Sequence, residues 1–105
     1  ALFTEDGVLT IGDSTWTGRD ELRERIEALT TGSSIRHLMS TIRITQTDDN
    51  HATGVSYVQI YSAPAGQNTV SGFTLIGEYH DQFVRTGEGW KIQRRDLKTI
   101  YTDQP

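Results

Sequence analysis

Apolar and polar positions alternate with the two-residue period of β-structure over residues 75–84, and strand-forming residues resume at residue 90. Between them lies the turn Thr86-Gly87-Glu88-Gly89, whose glycines can take the positive φ that a hairpin connection demands. Side chains two apart share a face of a strand, so Leu75, Gly77, Tyr79, Asp81 and Phe83 fall together. Ile76, Glu78, His80, Gln82 and Val84 take the other side. On the returning strand Trp90 and Ile92 share a parity that Leu97 does not, which predicts a β-bulge between them. Asp81 can then meet the Arg94-Arg95 pair across the ladder.

The period changes to a helical one only at Leu22, Ile26 and Leu29, which predicts a helix over residues 19–29 with those three side chains buried. Thr17 and Asp20 form a shortened capping box at its start, Glu21 and Arg25 pair on its outer side, and Gly32 ends it. Ahead of it, residues 1–3 read as the end of a helix and residues 4–7 as a turn. Residues 8–11 and 15–17 read as short strands joined by Gly12-Asp13-Ser14. Behind it, residues 35–47 form a long strand with His37, Met39, Thr41 and Arg43 on one side and Leu38, Ser40, Ile42 and Ile44 on the other. The turn Asp48-Asp49-Asn50 leads to a strand over residues 52–63, where Val55, Tyr57, Gln59 and Tyr61 oppose Ser56, Val58 and Ile60. Residues 64–72 form a polar loop. A short hairpin, a helix and four long strands make an α+β chain with an antiparallel sheet. If that sheet curves around helices, it encloses a cone-shaped pocket.

Composition narrows the classes. The 105 residues make one domain over residues 1–105. A net charge of −4 without a Lys/Arg cluster argues against nucleic acid as a partner. No apolar run approaches the roughly 20 residues of a membrane span, so no membrane partner is expected and a cytoplasmic location is the default. Without cysteine there is no disulfide and no thiolate chemistry. The three histidines lack ligand spacing and the Asp-rich turn lacks an EF-hand pattern, so no metal site is expected. No nucleophile motif, phosphate loop or nucleotide fingerprint is present, and no cofactor is expected.

Five stretches, in order, resemble one family: Leu2-Phe3-Thr4-Glu5-Asp6-Gly7, Gly18-Arg19-Asp20, Arg36-His37-Leu38-Met39, Gly77-Glu78-Tyr79-His80-Asp81 and Gly89-Trp90-Lys91-Ile92. Together they are similar to the SnoaL-like branch of the nuclear-transport-factor-2-like superfamily. The resemblance implies an α+β cone, a strongly curved antiparallel sheet packed against helices around a deep apolar pocket. The family includes polyketide cyclases, scytalone dehydratase, bile-acid dehydratases, ketosteroid isomerases and small subunits of ring-hydroxylating dioxygenases, so fold alone does not fix function. Its members carry an N-terminal helix that lines the pocket. This chain opens where that helix ends, and the tyrosine or aspartate that several family enzymes carry there has no counterpart.

The resemblance also nominates residues. In the dehydratases and cyclases a histidine at the start-of-strand position of His37 faces the pocket and moves protons, a task suited to imidazole. The alternative is a structural histidine at a strand end. In the cyclases an aspartate matching Asp81 is the base, and a carboxylate in an apolar pocket is a stronger one. Against that, Asp81 beside two arginines has the makings of an ion pair that only locks the sheet. Tyr57 shares a face with Tyr61, and both can offer hydroxyls to a ligand or serve as core. Trp16, Met39, Tyr79, Phe83 and Trp90 are candidate apolar lining, and equally candidates for plain core.

Three readings remain: a cofactor-free lyase or isomerase acting on a small hydrophobic carbonyl or hydroxyl compound; a pocket that binds such a molecule without turnover; or an interaction module. In the first, His37 is the acid/base, assisted by Asp81 or Tyr57. A homodimer is expected through the outer sheet face, assigned to Val58, Ile60, Ile76 and Val84.

Overall fold

The computed structural model describes residues 2–103. The elements run β1 (Phe3–Ile11), β2 (Ser14–Thr17), α1 (Arg19–Thr30), β3 (Ser33–Asp48), β4 (His51–Pro64), β5 (Leu75–Thr86) and β6 (Gly89–Thr102). The strands form one curved, open sheet in the order β2-β1-β6-β5-β4-β3. It is mixed rather than wholly antiparallel, because β1 lies parallel to β6 while the other neighbours are antiparallel. One helix packs on it among the described residues, against β1, β2 and β3.

The start of the chain departs from its sequence pattern. Phe3 already belongs to β1, and Ala1 lies outside the described residues. Residues 4–7 do not turn the chain back; β1 runs through them with a register irregularity between Phe3 and Val8. The backbone of β6 holds this segment, since the Ile92 N–H donates to the Leu2 carbonyl at 2.7 Å.

The helix begins at Gly18, whose φ of +87° is accessible to glycine at no steric cost. That geometry replaces the expected Thr17–Asp20 box: no side chain caps the helix, and the Glu21 carboxylate accepts the Thr17 N–H at 3.4 Å. Arg19 ties the first turn to β1 by donating to the Phe3 carbonyl from Nη2 at 3.0 Å. Leu22 is buried, but Ile26 is 56% exposed and Leu29 only half-buried. The helix rests on the β1–β2 corner and on β3, so its full apolar stripe is not covered. Gly32, with φ of +75°, follows its last turn as the sequence predicts.

Register fixes which side chains share a face. Val58 lies opposite Met39 and Gly77, Ser56 opposite Tyr79, and Tyr79 opposite Leu97. Val58, Tyr79 and Leu97 are the core, with Ile11, Ile60 and Leu75 packed against them. Ser56, Val58 and Ile60 therefore line the inner face, and the assignment of Val58 and Ile60 to the outer one is corrected. Two-residue parity groups residues without saying which group is inside. The bulge expected in β6 is present, between the pairs Gln82–Arg94 and Phe83–Ile92. An unanticipated bulge also interrupts β3 at Thr41, a non-glycine residue with φ of +53°. It reverses the parity of the rest of β3, so Ile44, opposite Gly54, joins Met39 on the inner face.

Candidate functional site

The bulge in β3 shapes the site. Met39, Ile42 and Ile44 stand beside Phe83 around an open cavity of about 180 Å³ on the inner face. Gly54 lies among them, and a Cβ there would come within 2.8 Å of the Phe83 ring, so glycine lets that ring lie across β4. The polar residues around the cavity are Ser56, Asp81 and Arg95, and their polar atoms are almost wholly withdrawn from its apolar wall.

Asp81 and Arg95 face each other across β5 and β6. Arg95 Nε donates to Asp81 Oδ1 at 2.8 Å and Nη2 to Oδ2 at 3.0 Å, a two-pronged pair with an almost fully buried carboxylate. The guanidinium lies 4.1 Å above the Tyr79 ring centroid, an arrangement in which the ring face attracts the cation. Burial raises the Tyr79 pKa; Arg95 lowers it and Asp81 raises it by smaller amounts. The neighbouring Arg94 instead pairs with Asp96 at 3.0 Å. The ion-pair reading of Asp81 thus describes its geometry: both carboxylate oxygens accept from Arg95.

His37 lies opposite Ile60 and so on the inner face. Its pKa falls below the ordinary 6.5, first because the ring is partly covered and second because of the Arg95 charge. Among the described residues it has no hydrogen-bond partner, so neither Tyr57 nor Asp81 holds its second nitrogen.

Of the candidates, the structure brings Met39, Phe83 and Asp81 to the cavity, with Tyr79 beneath Arg95; His37 stands on the same face, where the Arg95 charge is felt, but does not line that cavity. Trp90 lines a neighbouring apolar recess with Ile44 and Phe83. Tyr57 is not brought there: it pairs with Ser40 and Glu78 on the outer face. Tyr61 is on that outer face too, its hydroxyl donating to Gln59 at 3.0 Å. Trp16 belongs to β2, at the far edge of the sheet from β3, under the Arg25 guanidinium. Sequence reasoning misses Ser56, Ile42 and Ile44 as site residues. The spacing Ala52, Gly54, Ser56 is the available signal, since small residues on one face leave room above it. His51 and His80 are exposed and pair with Asp48 at 2.9 Å and Glu78 at 3.1 Å, away from the cavity.

Among the described residues no cluster of three or more histidine or acidic groups is placed to hold a metal ion, and no helix is long and apolar enough to cross a membrane.

Comparison with known proteins agrees with this architecture. A protein of unknown function from Mycobacterium tuberculosis superposes with a TM-score of 0.83 at 28% identity, covering 97% of this chain and 58% of its own. This chain therefore spans less than two thirds of that relative. A candidate scytalone dehydratase from Novosphingobium aromaticivorans gives a TM-score of 0.84 at 28% identity, covering 99% of this chain and 70% of its own. ActVI-ORFA of Streptomyces coelicolor shares the fold, with a TM-score of 0.79 at 21% identity over 93% of this chain and 77% of its own. No curated protein sequence matches. The profile of the SnoaL-like domain matches residues 1–96. By that match, over most of its length, the chain belongs to the SnoaL-like domain family.

Proposed function

We propose that the inner face is a small-molecule pocket in which His37 acts as acid/base, making the protein a cofactor-free lyase or isomerase for a small hydrophobic carbonyl or hydroxyl compound. One observation carries this reading: an apolar cavity floored by a fixed ion pair, on the same face as a histidine with a lowered pKa. A base must be unprotonated to work, and the lowered pKa keeps His37 neutral at pH 7. Asp81, with both oxygens engaged, serves by fixing the Arg95 guanidinium rather than by taking a proton. Family membership supports the reading, as does the likeness to a candidate scytalone dehydratase.

A second reading, binding without turnover, is favoured by the missing partner on His37, because nothing then fixes its tautomer. The experiment is to extract the purified protein, identify any carried compound by mass spectrometry, and incubate it with fresh protein. An apolar oxygen-bearing compound that is converted supports the enzyme. The same compound returned unchanged selects the binding reading, and a polar or charged compound contradicts both.

We also propose a homodimer through the outer face, where Leu38 and Tyr57 are about half exposed, Ile76 lies in line with Leu38 across β4, and Val84 stands further along β5. Light scattering at high micromolar concentration should give twice the chain mass; a monomer there contradicts it.

A further inference from the structure

We infer that the free edge of β3 pairs antiparallel with β3 of a second copy of this chain, in a register centred on the Thr41 bulge. The pairing sets the partner's Ile44 beside Met39, at the open side of the cavity.

β3 is the last strand of the sheet, with β4 its one neighbour among the described residues, so the backbone groups along its other side face no strand. It is 16 residues long and is exposed from residue 36 to residue 48. An edge of this kind is a template for a further strand, and natural sheets usually guard it with lysine or proline. β3 contains neither. Its large apolar side chains Leu38, Met39, Ile42 and Ile44 are all exposed. Arg36 makes no ion pair among the described residues, and its Nη1 donates to the carbonyl of the preceding Ile35 at 2.9 Å.

A second copy fits because the strand is complementary to itself. Along β4, Arg36 stands opposite Tyr61 and Asp48 opposite His51, Met39 opposite Val58 and Ile44 opposite Gly54. The bulged Thr41 and Ile42 fall at Ser56, midway between both pairs of positions. A two-fold axis through that level, perpendicular to the sheet, therefore sets Arg36 against the partner's Asp48 and Met39 against the partner's Ile44, each contact occurring twice. Arg36 and Asp48 lie on the outer face, Met39 and Ile44 on the inner one, as cross-strand neighbours must. Asp48 has charge to offer: it accepts from the Asn50 N–H at 2.8 Å and pairs with His51 at 2.9 Å, yet its side chain is 60% exposed. A register centred on Met39 would instead oppose Arg36 and the partner's Arg43, two like charges. A bulge normally deters edge pairing, but here the two bulges lie opposite each other and the ladders on either side stay in step. The outer faces remain free, so the edge contact joins outer-face dimers rather than competing with them. With about ten residues a side, against the roughly 20–30 of a standard interface, it is weak and reversible.

The chain has no cysteine, so single-cysteine variants test the register cleanly. Met39→Cys and Ile44→Cys, both at exposed positions, are oxidised with copper phenanthroline, separately and mixed. The mixture should form interchain disulfide at least about tenfold faster than either variant alone, since only unlike positions come within the roughly 4.4–6.8 Å that a disulfide spans between Cα atoms. Like positions stay four residues apart along the ladder, about 13 Å. Oxidation traps the contact even where it is sparsely populated. A dimer through the outer face gives no such excess, because inner-face side chains then point away from each other. In an Arg36→Glu background the excess should fall about fivefold or more, as two favourable charge pairs become two like-charge ones. No excess in the mixture overturns the inference and leaves the edge to a strand of another protein or to water. Cross-linking of each variant with itself at the mixed rate, or an excess that Arg36→Glu leaves unchanged, overturns the register.

Discussion

Arg95→Leu is expected to cost about 3–5 kcal/mol of folding free energy, the usual penalty for removing one partner of a buried ion pair. The cause is the group left behind. Asp81 is buried, and both its oxygens accept from Arg95. Deprived of that partner, its carboxylate has neither water nor counter-charge. For a domain of about 100 residues the loss corresponds to roughly 15–30 °C in melting temperature. Arg94→Leu, one residue away, should cost no more than about 1 kcal/mol, because the Arg94–Asp96 pair is well exposed to solvent. The double variant Asp81→Leu/Arg95→Leu should recover much of the loss, since it leaves no charge unpaired. Urea denaturation of the three variants measures all of this. Equal costs for Arg94 and Arg95 would mean that the ion pair is not what secures β5 to β6 under the cavity.

Replacing His37 should produce the largest functional change. His37→Ala is expected to lower turnover of an identified substrate by roughly 10²–10⁴-fold, the range general acid/base catalysis supplies. His37→Gln should fall about as far, because an amide keeps size and a hydrogen bond but carries no titrating proton. Neither should shift the melting temperature much, since the residue is exposed on an edge strand. Acid dependence stems from the lowered pKa. Between the folded value and 6.5 the unfolded chain binds more protons than the folded one, so stability rises with pH across that window. The His37 contribution is complete above 6.5 and lost as pH falls through the folded value. The acid limb of kcat/KM should likewise lie below pH 6.5 in the wild type. If His37→Ala unfolds the protein while activity per folded molecule persists, the histidine is structural.

Part of the fold and of the site is legible in the residues and part is not, for physical reasons. The β5–β6 hairpin, the bulge in β6 and the Asp81 pairing arise from turn chemistry and parity, which are local. Parity alone misassigns the face of β4, because alternation in Val55, Ser56, Tyr57 and Val58 is symmetrical until a neighbour covers one side. The aromatic side of that strand is the outer one. Small residues at 52, 54 and 56, which make room for Phe83 and the cavity, weigh little on any hydrophobic scale. The β3 bulge has no local signal, since Thr41 is an ordinary strand residue that only tertiary context holds at positive φ. That one residue decides whether Ile44 faces the cavity. The parallel β1–β6 pair joins the two ends of the chain and cannot be seen from local pattern. Family resemblance points to His37; its position relative to Arg95 requires the fold.

The most direct test of the pocket is an NMR titration of the histidine ring signals with acetophenone at pH 7. His37 should shift progressively and saturably, while His51 and His80, paired with Asp48 and Glu78 away from the cavity, should not. Three histidines that respond alike, or none that responds while the ligand is bound, would place the ligand elsewhere and contradict the assignment of the inner face as the site.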